Sequence, residues 1–412
     1  MTIAERYQVS AITAPSNGAL EKSDNLLWPV TGLDYIALFS LCVGTVVLVL
    51  LDWLGKFEYI SMDVSKYSRA FLLVVFAFYV IRTGISLSAY GFRFGRVLTY
   101  FMTLCLLYSI VSEDVVENLY YSTRIFFWTL GTVVAYRLFL AGLLSEKIIR
   151  KTIIATVIIG AVFTIIFMAR PETKGHQNAS AYLLLWCMPL MFLIRKSWID
   201  HSSIAIAVVA IMMTIKRGAM IGLVISSAIY GLIYYKMYMS MRAFLRLIGF
   251  FLILGIIGAY ALSLNWEAVQ GRFEDKSGSG RDKLYTMLVN HYLQADLTNQ
   301  IFGFGINSVQ RYTGQIFRGG WTGVYAHSDW VQFMYDFGIF GIILLVWLHL
   351  QFLTLIFKYY KNKHPHAPPL IMGYVIMFLI NIYSGQLMYP DTIYLGLLWA
   401  ISPSNNLIES SE

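Results

Sequence analysis

Three basic side chains in the second half of the chain sit where they could handle an anion and a proton. Arg217 lies in the turn Lys216-Arg217-Gly218 between two apolar runs. Arg281 follows Ser277-Gly278-Ser279-Gly280 and precedes Asp282, opening a helical pattern with Leu284, Leu288, Tyr292 and Ala295 on one stripe. His327 lies within Tyr325-Ala326-His327-Ser328-Asp329, just ahead of another apolar run. All three positions read as helix N-termini, where unpaired backbone N–H groups and the helix dipole favour an anion. Arginine adds a planar fork that suits phosphate oxygens. An imidazole held among such positive groups has its charged form disfavoured, so it stays neutral near pH 7 and can accept a proton. Taken singly, each residue has a plainer explanation: an interfacial anchor, a solvated loop arginine, a neighbour of a helix cap. Their joint placement on one face favours the chemical reading.

The elements that must position them are membrane helices. The 412 residues are 58% hydrophobic and only 13% charged, against about a quarter charged in soluble domains. Apolar runs fall at 33–54, 69–88, 97–112, 118–142, 148–168, 180–194, 202–215, 218–235, 243–264, 329–357, 369–385 and 391–402. That predicts an all-α polytopic membrane protein with about twelve spans, the last short enough to be re-entrant. Met1 to Pro29 is mixed and polar and lacks the apolar core of a cleavable signal. Cys42, Cys105 and Cys187 fall inside apolar runs, which argues against a disulfide framework.

Charge bias sets the orientation. Alternate connections carry Arg93 and Arg96; Lys147, Arg150 and Lys151; Arg195 and Lys196; Lys236, Arg242 and Arg246; Lys358, Lys361 and Lys363. The opposite set is poorer in cations or acidic, as at Glu113, Asp114 and Glu117. The basic set is therefore cytoplasmic, together with both termini. The expected layout is a cytoplasmic segment at 1–32, nine spans over 33–264, an external loop at 265–328, three spans over 329–402 and a cytoplasmic tail at 403–412. The net charge of +8 is accounted for by this distribution, and no nucleic-acid partner is implied.

Other polar residues rank lower. Lys174, His176, Asn178 and Ser180 form an external connection, and Asp336 lies inside a span, where a carboxylate is costly unless paired. Ser328-Asp329 with Gln332 reads as a capping box. Phe302-Gly303-Phe304-Gly305 reads as a turn allowing close backbone packing. Neither an HExxH nor a paired-cysteine spacing occurs on the outer face, and no metal is expected.

At these residues the chain resembles the O-antigen polymerase and ligase superfamily of bacterial membrane glycosyltransferases. The resemblance rests on Gly175-His176-Gln177-Asn178, Arg217-Gly218-Ala219, Gly280-Arg281 with Tyr285, Phe302-Gly303-Phe304-Gly305, His327-Ser328-Asp329-Trp330 and Gly338-Ile339-Phe340-Gly341. It covers roughly residues 175 to 345, and their order and spacing carry it more than any one motif.

The resemblance implies a GT-C-like enzyme of the bacterial inner membrane with a periplasmic active site. Its donor would be a glycan on undecaprenyl diphosphate, the lipid diphosphate being the leaving group. The acceptor would be another lipid-linked repeat unit (polymerase) or lipid A–core (ligase), with neither metal nor other cofactor. Membrane lipids surround it, and a chain-length regulator is a conceivable partner. His327 would be the general base and Arg217 and Arg281 the diphosphate-binding residues, with Lys216, Asp282, Tyr285, Asn178, Asp329 and Tyr325 in secondary positions. Many members carry His followed by Asn, so His327-Ser328 leans towards a polymerase. Two readings of other classes stand beside this one. A flippase for lipid-linked oligosaccharide would line a central cavity with charge through the membrane depth. A docking protein without activity would need only the basic loop.

Overall fold

A computed structural model describes residues 30–56, 59–83, 94–111, 114–169, 177–194, 197–214, 216–238, 280–316 and 323–402, with scattered positions between 242 and 263. The ninth apolar run at 243–264 lies largely outside the described residues. So do most of the 1–32 segment, Ser277-Gly278-Ser279, Lys174, His176 and the 403–412 tail.

The described chain is helical throughout. The helices are α1 (Gly32–Lys56, with a π turn at Ser40–Gly44), α2 (Met62–Thr83), α3 (Phe94–Ile110), α4 (Val115–Leu140), α5 (Glu146–Ala169), α6 (Gln177–Ile194), α7 (Trp198–Met213) and α8 (Arg217–Tyr238). They continue as α9 (Arg281–Gln294), α10 (Leu297–Phe302), α11 (Ser308–Ile316), α12 (Asp329–Lys361), α13 (Ala367–Tyr383) and α14 (Ile393–Ile401). Helices dominate because a chain in hydrocarbon must satisfy its backbone N–H and C=O groups within itself. Five of them, α1, α2, α5, α8 and α12, are long and apolar enough to cross a membrane. Every apolar run outside 243–264 overlaps a helix among the described residues, so the protein is an all-α polytopic membrane protein.

One expectation needs correction, at the second helix, and the shortness expected of the last one is seen. The second helix begins at Met62, not at 69, and takes Asp63, Lys66 and Arg69 into its first turns. An apolar-run reading starts only where such charges stop. The last helix, α14, has 9 described residues, about 14 Å at 1.5 Å per residue, well short of a hydrocarbon core of about 30 Å. All of its residues are buried.

The centre of the bundle is α4, α6 and α14. Trp128, Trp186 and Trp399 are fully buried there, and Phe94 stacks on Trp399 with centroids 4.3 Å apart. Helices α4 and α14 approach closely through small residues: a Cβ on Gly131 would lie 2.6 Å from Ile393, and one on Gly396 would collide with Thr132. Outer helices show apolar side chains to the surroundings, among them Phe71, Val74 and Phe78 on α2 and Ile339, Ile343 and Val346 on α12.

Helices α9, α10 and α11 cover the start of α12. Their own small core is Leu284, Leu288, Val309, Ala326 and Tyr335, edged by Tyr292, Phe304 and Tyr312. Ala295 ends α9 as its extended C-cap and does not continue the stripe. The segment docks backbone to backbone. Helix α12 is kinked at Gly338, whose φ of 63° lies in the left-handed region. A Cβ there would lie 2.6 Å from Gly303 N, so glycine is needed on both sides of the contact. Phe304 N and Gly305 N donate to the carbonyls of Tyr335 and Asp336, each at 2.9 Å.

Asp336 sits fully buried at this joint. Its carboxylate accepts from Ser308 Oγ and Gln332 Nε2, both at 2.7 Å, and from Asn307 N at 3.2 Å and Val309 N at 3.3 Å. It therefore fixes the start of α11. Asp336→Ala strands these donors in a dry site and is expected to lower stability by about 3 kcal/mol. A thermal melt of the detergent-solubilised protein, followed by intrinsic fluorescence, measures this. Unchanged melting would remove Asp336 from the account of this joint.

Candidate active site

Helices α8 and α12 begin, and α13 ends, at one end of the bundle. Tyr383, the last residue of α13, joins the parts. Its hydroxyl donates to the Gly218 carbonyl in the first turn of α8, and its own carbonyl accepts from the Arg281 guanidinium. Arg281 thus places a cation on the C-terminal end of α13, where the helix dipole favours it. Gly218 allows the approach: a Cβ there would lie 2.5 Å from the Tyr383 ring and 2.8 Å from the Tyr182 hydroxyl. Gly280 precedes Arg281 with φ 71°, a left-handed N-cap that glycine adopts without steric cost.

His327 completes the group. Its φ of 57° is unusual for a residue with a side chain and costs of the order of 1–2 kcal/mol. The position is held from several directions. Tyr285 Oη donates to the His327 carbonyl at 2.9 Å, and Ser328 Oγ donates to the Asn381 carbonyl at 3.1 Å. Asp329, fully buried, accepts from Gln386 N at 3.1 Å and Leu387 N at 3.3 Å. With its amide nitrogen turned to Asp329, Asn381 also donates to Oδ2 at 2.8 Å. These bonds fasten the backbone on both sides of His327 and leave its imidazole without a hydrogen bond to any described residue.

Burial, then the charges of Arg281 and Lys216, push the His327 imidazole down to about 4. Desolvation and like charge both penalise the imidazolium, so the ring is neutral at physiological pH. It can accept a proton, and the two cations beside it can hold an anion.

Several sequence expectations are altered in detail. The cation acting on His327 from the α8 turn is Lys216, whose ammonium lies 5.9 Å from the Tyr182 ring centroid. Arg217 is the first residue of α8, and its guanidinium makes no hydrogen bond to another described residue. Asp282 is exposed in the first turn of α9. Asp329 is a buried brace for the 386–387 backbone. Tyr325 is turned aside, its hydroxyl accepting from Arg124 Nη1 at 2.8 Å. The cap of α12 is Ser328 acting on Val331 N, while Gln332 Oε1 instead accepts from Ala326 N at 3.1 Å, so there is no reciprocal box. The side chain of Asn178 lies outside the described residues.

Sequence reasoning missed Tyr182 and Tyr383. A tyrosine at the end of a span reads equally well as an interfacial anchor, so nothing in the sequence singles these out. Arg124 did carry a signal, being a cation inside an apolar run.

No curated protein matches the chain. A family model does match part of it, and the matched stretch contains Lys216, Arg217, Arg281, Tyr285, His327 and Asp336, hence most of the group assembled at this end of the bundle. Residues 202–346 match the family described as O-Antigen ligase, which places this stretch of the chain in the O-antigen polymerase and ligase superfamily.

Proposed function

We propose that the protein is a glycosyltransferase that polymerises lipid-diphosphate-linked oligosaccharide repeat units of a surface polysaccharide at the periplasmic face of the bacterial inner membrane. The observation that carries this is the junction itself: His327, fixed through its carbonyl by Tyr285 and free at its imidazole of bonds to described residues, with Arg281 anchored on the Tyr383 carbonyl and Lys216 acting on the same ring. A hydroxyl of the acceptor sugar attacks the anomeric carbon of the donor glycan. Its proton passes to His327 as the new C–O bond forms. The bond from the anomeric carbon to the phosphate oxygen breaks, and undecaprenyl diphosphate departs with the electron pair. Arg281 and Lys216 offset the charge that develops on it, and Arg217 supplies a further guanidinium from the start of α8. A single displacement inverts the anomeric centre; a retained centre would exclude this sequence of steps. No metal is invoked.

Transfer to lipid A–core is the second reading, favoured by the description of the matched family as a ligase. His327-Ser328 favours the polymerase. The two separate in a reconstituted assay of the purified protein with undecaprenyl-diphosphate-linked repeat units. A ladder of longer glycans from these units alone supports the polymerase. Product only after lipid A–core is added supports the ligase. No product with either acceptor, from folded protein, overturns both readings and returns attention to transport of the lipid-linked glycan.

A further inference from the structure

A cavity of about 190 Å³ opens beside this site, between α1, α2, α4 and the turn that precedes α14. Its charged lining is four cations, Lys56, Lys66, Arg69 and Arg124, against two carboxylates, Asp52 and Asp391. Trp53, Tyr120 and Tyr389 add aromatic surface. None of these residues falls within the 202–346 stretch.

The cations are unequally matched. Lys56 pairs with Asp52 at 2.9 Å, and Lys66 pairs at 2.9 Å with Asp63, which is outside the cavity. Arg124 is spent on Tyr325 and on the faces of Tyr120 and Tyr121, 5.4 and 5.0 Å from their centroids. Arg69 is only 6% exposed, and its nearest carboxylate oxygen, on Asp52, is 4.0 Å away. Its Nε and Nη1 have no hydrogen-bond partner among the described residues. A buried guanidinium with two idle donors is costly; Asp52 and Asp391 offset part of its charge across the cavity but leave Nε and Nη1 unbonded, and water would satisfy them only as a neutral acceptor. An anion entering the cavity would do both.

The cavity also touches the catalytic segment. Arg124 and Tyr389 line it, and both contact Tyr325, through the 2.8 Å hydrogen bond and a ring pair 5.8 Å apart. Tyr325 is two residues ahead of His327 in the chain. A glycan reacting at His327 would therefore have a neighbouring sugar close to this opening. The aromatic walls suit the C–H faces of a sugar ring, and the cations suit an acidic substituent on it.

We propose that this cavity is a second saccharide subsite that takes a sugar bearing a carboxylate or phosphate group, with Arg69 as its anion-binding residue. That the sugar belongs to a glycan being transferred rests on the function proposed above; the binding itself does not.

The test is equilibrium binding to the full chain in neutral detergent, without turnover. The probes are methyl glucuronide, glucose 6-phosphate, methyl glucoside and inorganic phosphate, and a parallel arm places the protein in phosphatidylglycerol nanodiscs. One or both acidic sugars should bind and the neutral glucoside should not. Arg69→Gln should weaken binding by about ten-fold or more while Arg69→Lys, which keeps the charge, restores part of it. Equal binding to wild type and Arg69→Gln would overturn the assignment. Inorganic phosphate binding as tightly as glucose 6-phosphate would overturn the saccharide part. Displacement of the sugars by phosphatidylglycerol would identify a lipid headgroup as the occupant and overturn it too. Loss of binding in both variants together with a lowered melting temperature would reduce Arg69 to a structural residue. Because no transfer is measured, failure here leaves the proposed reaction standing, and failure of that reaction leaves the subsite standing.

Discussion

His327→Ala should lower the rate of glycan transfer by about 10²–10⁴-fold while leaving the melting temperature unchanged. The variant is a clean one for structural reasons. Tyr285 bonds the main-chain carbonyl of residue 327, which alanine retains. The imidazole makes no hydrogen bond to a described residue, and alanine tolerates the left-handed backbone no better than histidine does, so the local strain is carried over. The wild-type pH profile gives an independent check. A general base works when unprotonated, so the rate is high above its pKa and falls as pH drops through it. Burial, with Arg281 and Lys216, holds His327 at about 4 instead of the ordinary 6.5, so activity should persist into mild acid and its acid limb should fall near 4. An acid limb near 6.5, or full activity in folded His327→Ala protein, would remove His327 from the role of base.

Arg281→Ala is the second large effect, expected to cost about 10²–10³-fold in turnover through loss of a donor to the leaving diphosphate. Arg281 also depresses the His327 pKa, so its removal should move the acid limb upward. This coupling separates a positioned charge from a merely structural one. Arg281→Lys keeps the charge, so it should hold the acid limb near its wild-type position while losing the bidentate fork and part of the rate. Some stability should be lost as well, of the order of 1 kcal/mol, because the carbonyl of Tyr383 loses its cationic partner at the end of α13. Full turnover in folded Arg281→Ala, or an acid limb that does not move, would reject the assignment.

The helices were legible because lipid leaves the backbone few choices. A run of apolar residues near span length has to be helical, and α3 through α8, α12 and α13 follow from that alone. The start of α2 was not legible in this way. On the helix Asp63 and Lys66 pair with each other and Arg69 is buried at a cavity, and an apolar-run criterion discards all three. Likewise, the glycines of Phe302-Gly303-Phe304-Gly305 announced a tight turn, but not that their partner would be a kink at Gly338 in a helix that otherwise reads as continuous.

By itself, then, the amino-acid sequence determined the helical membrane architecture and the chemical types at Arg281 and His327, because span length, helix-start chemistry and charge are local properties. The tertiary structure decided which cations act on the imidazole, that Asp329 braces the 386–387 backbone, and that Arg69 and Arg124 share a cavity near it. The first two depend on how α8, α9, α12 and α13 meet at Tyr383 and Asn381, and the third on how α1, α2, α4 and the turn before α14 pack, all of them contacts between residues far apart in the chain. Charge–charge and burial effects depend on separations in space and not along the chain, so whether Lys216 or Arg217 acts on the imidazole is settled only when the helices are packed.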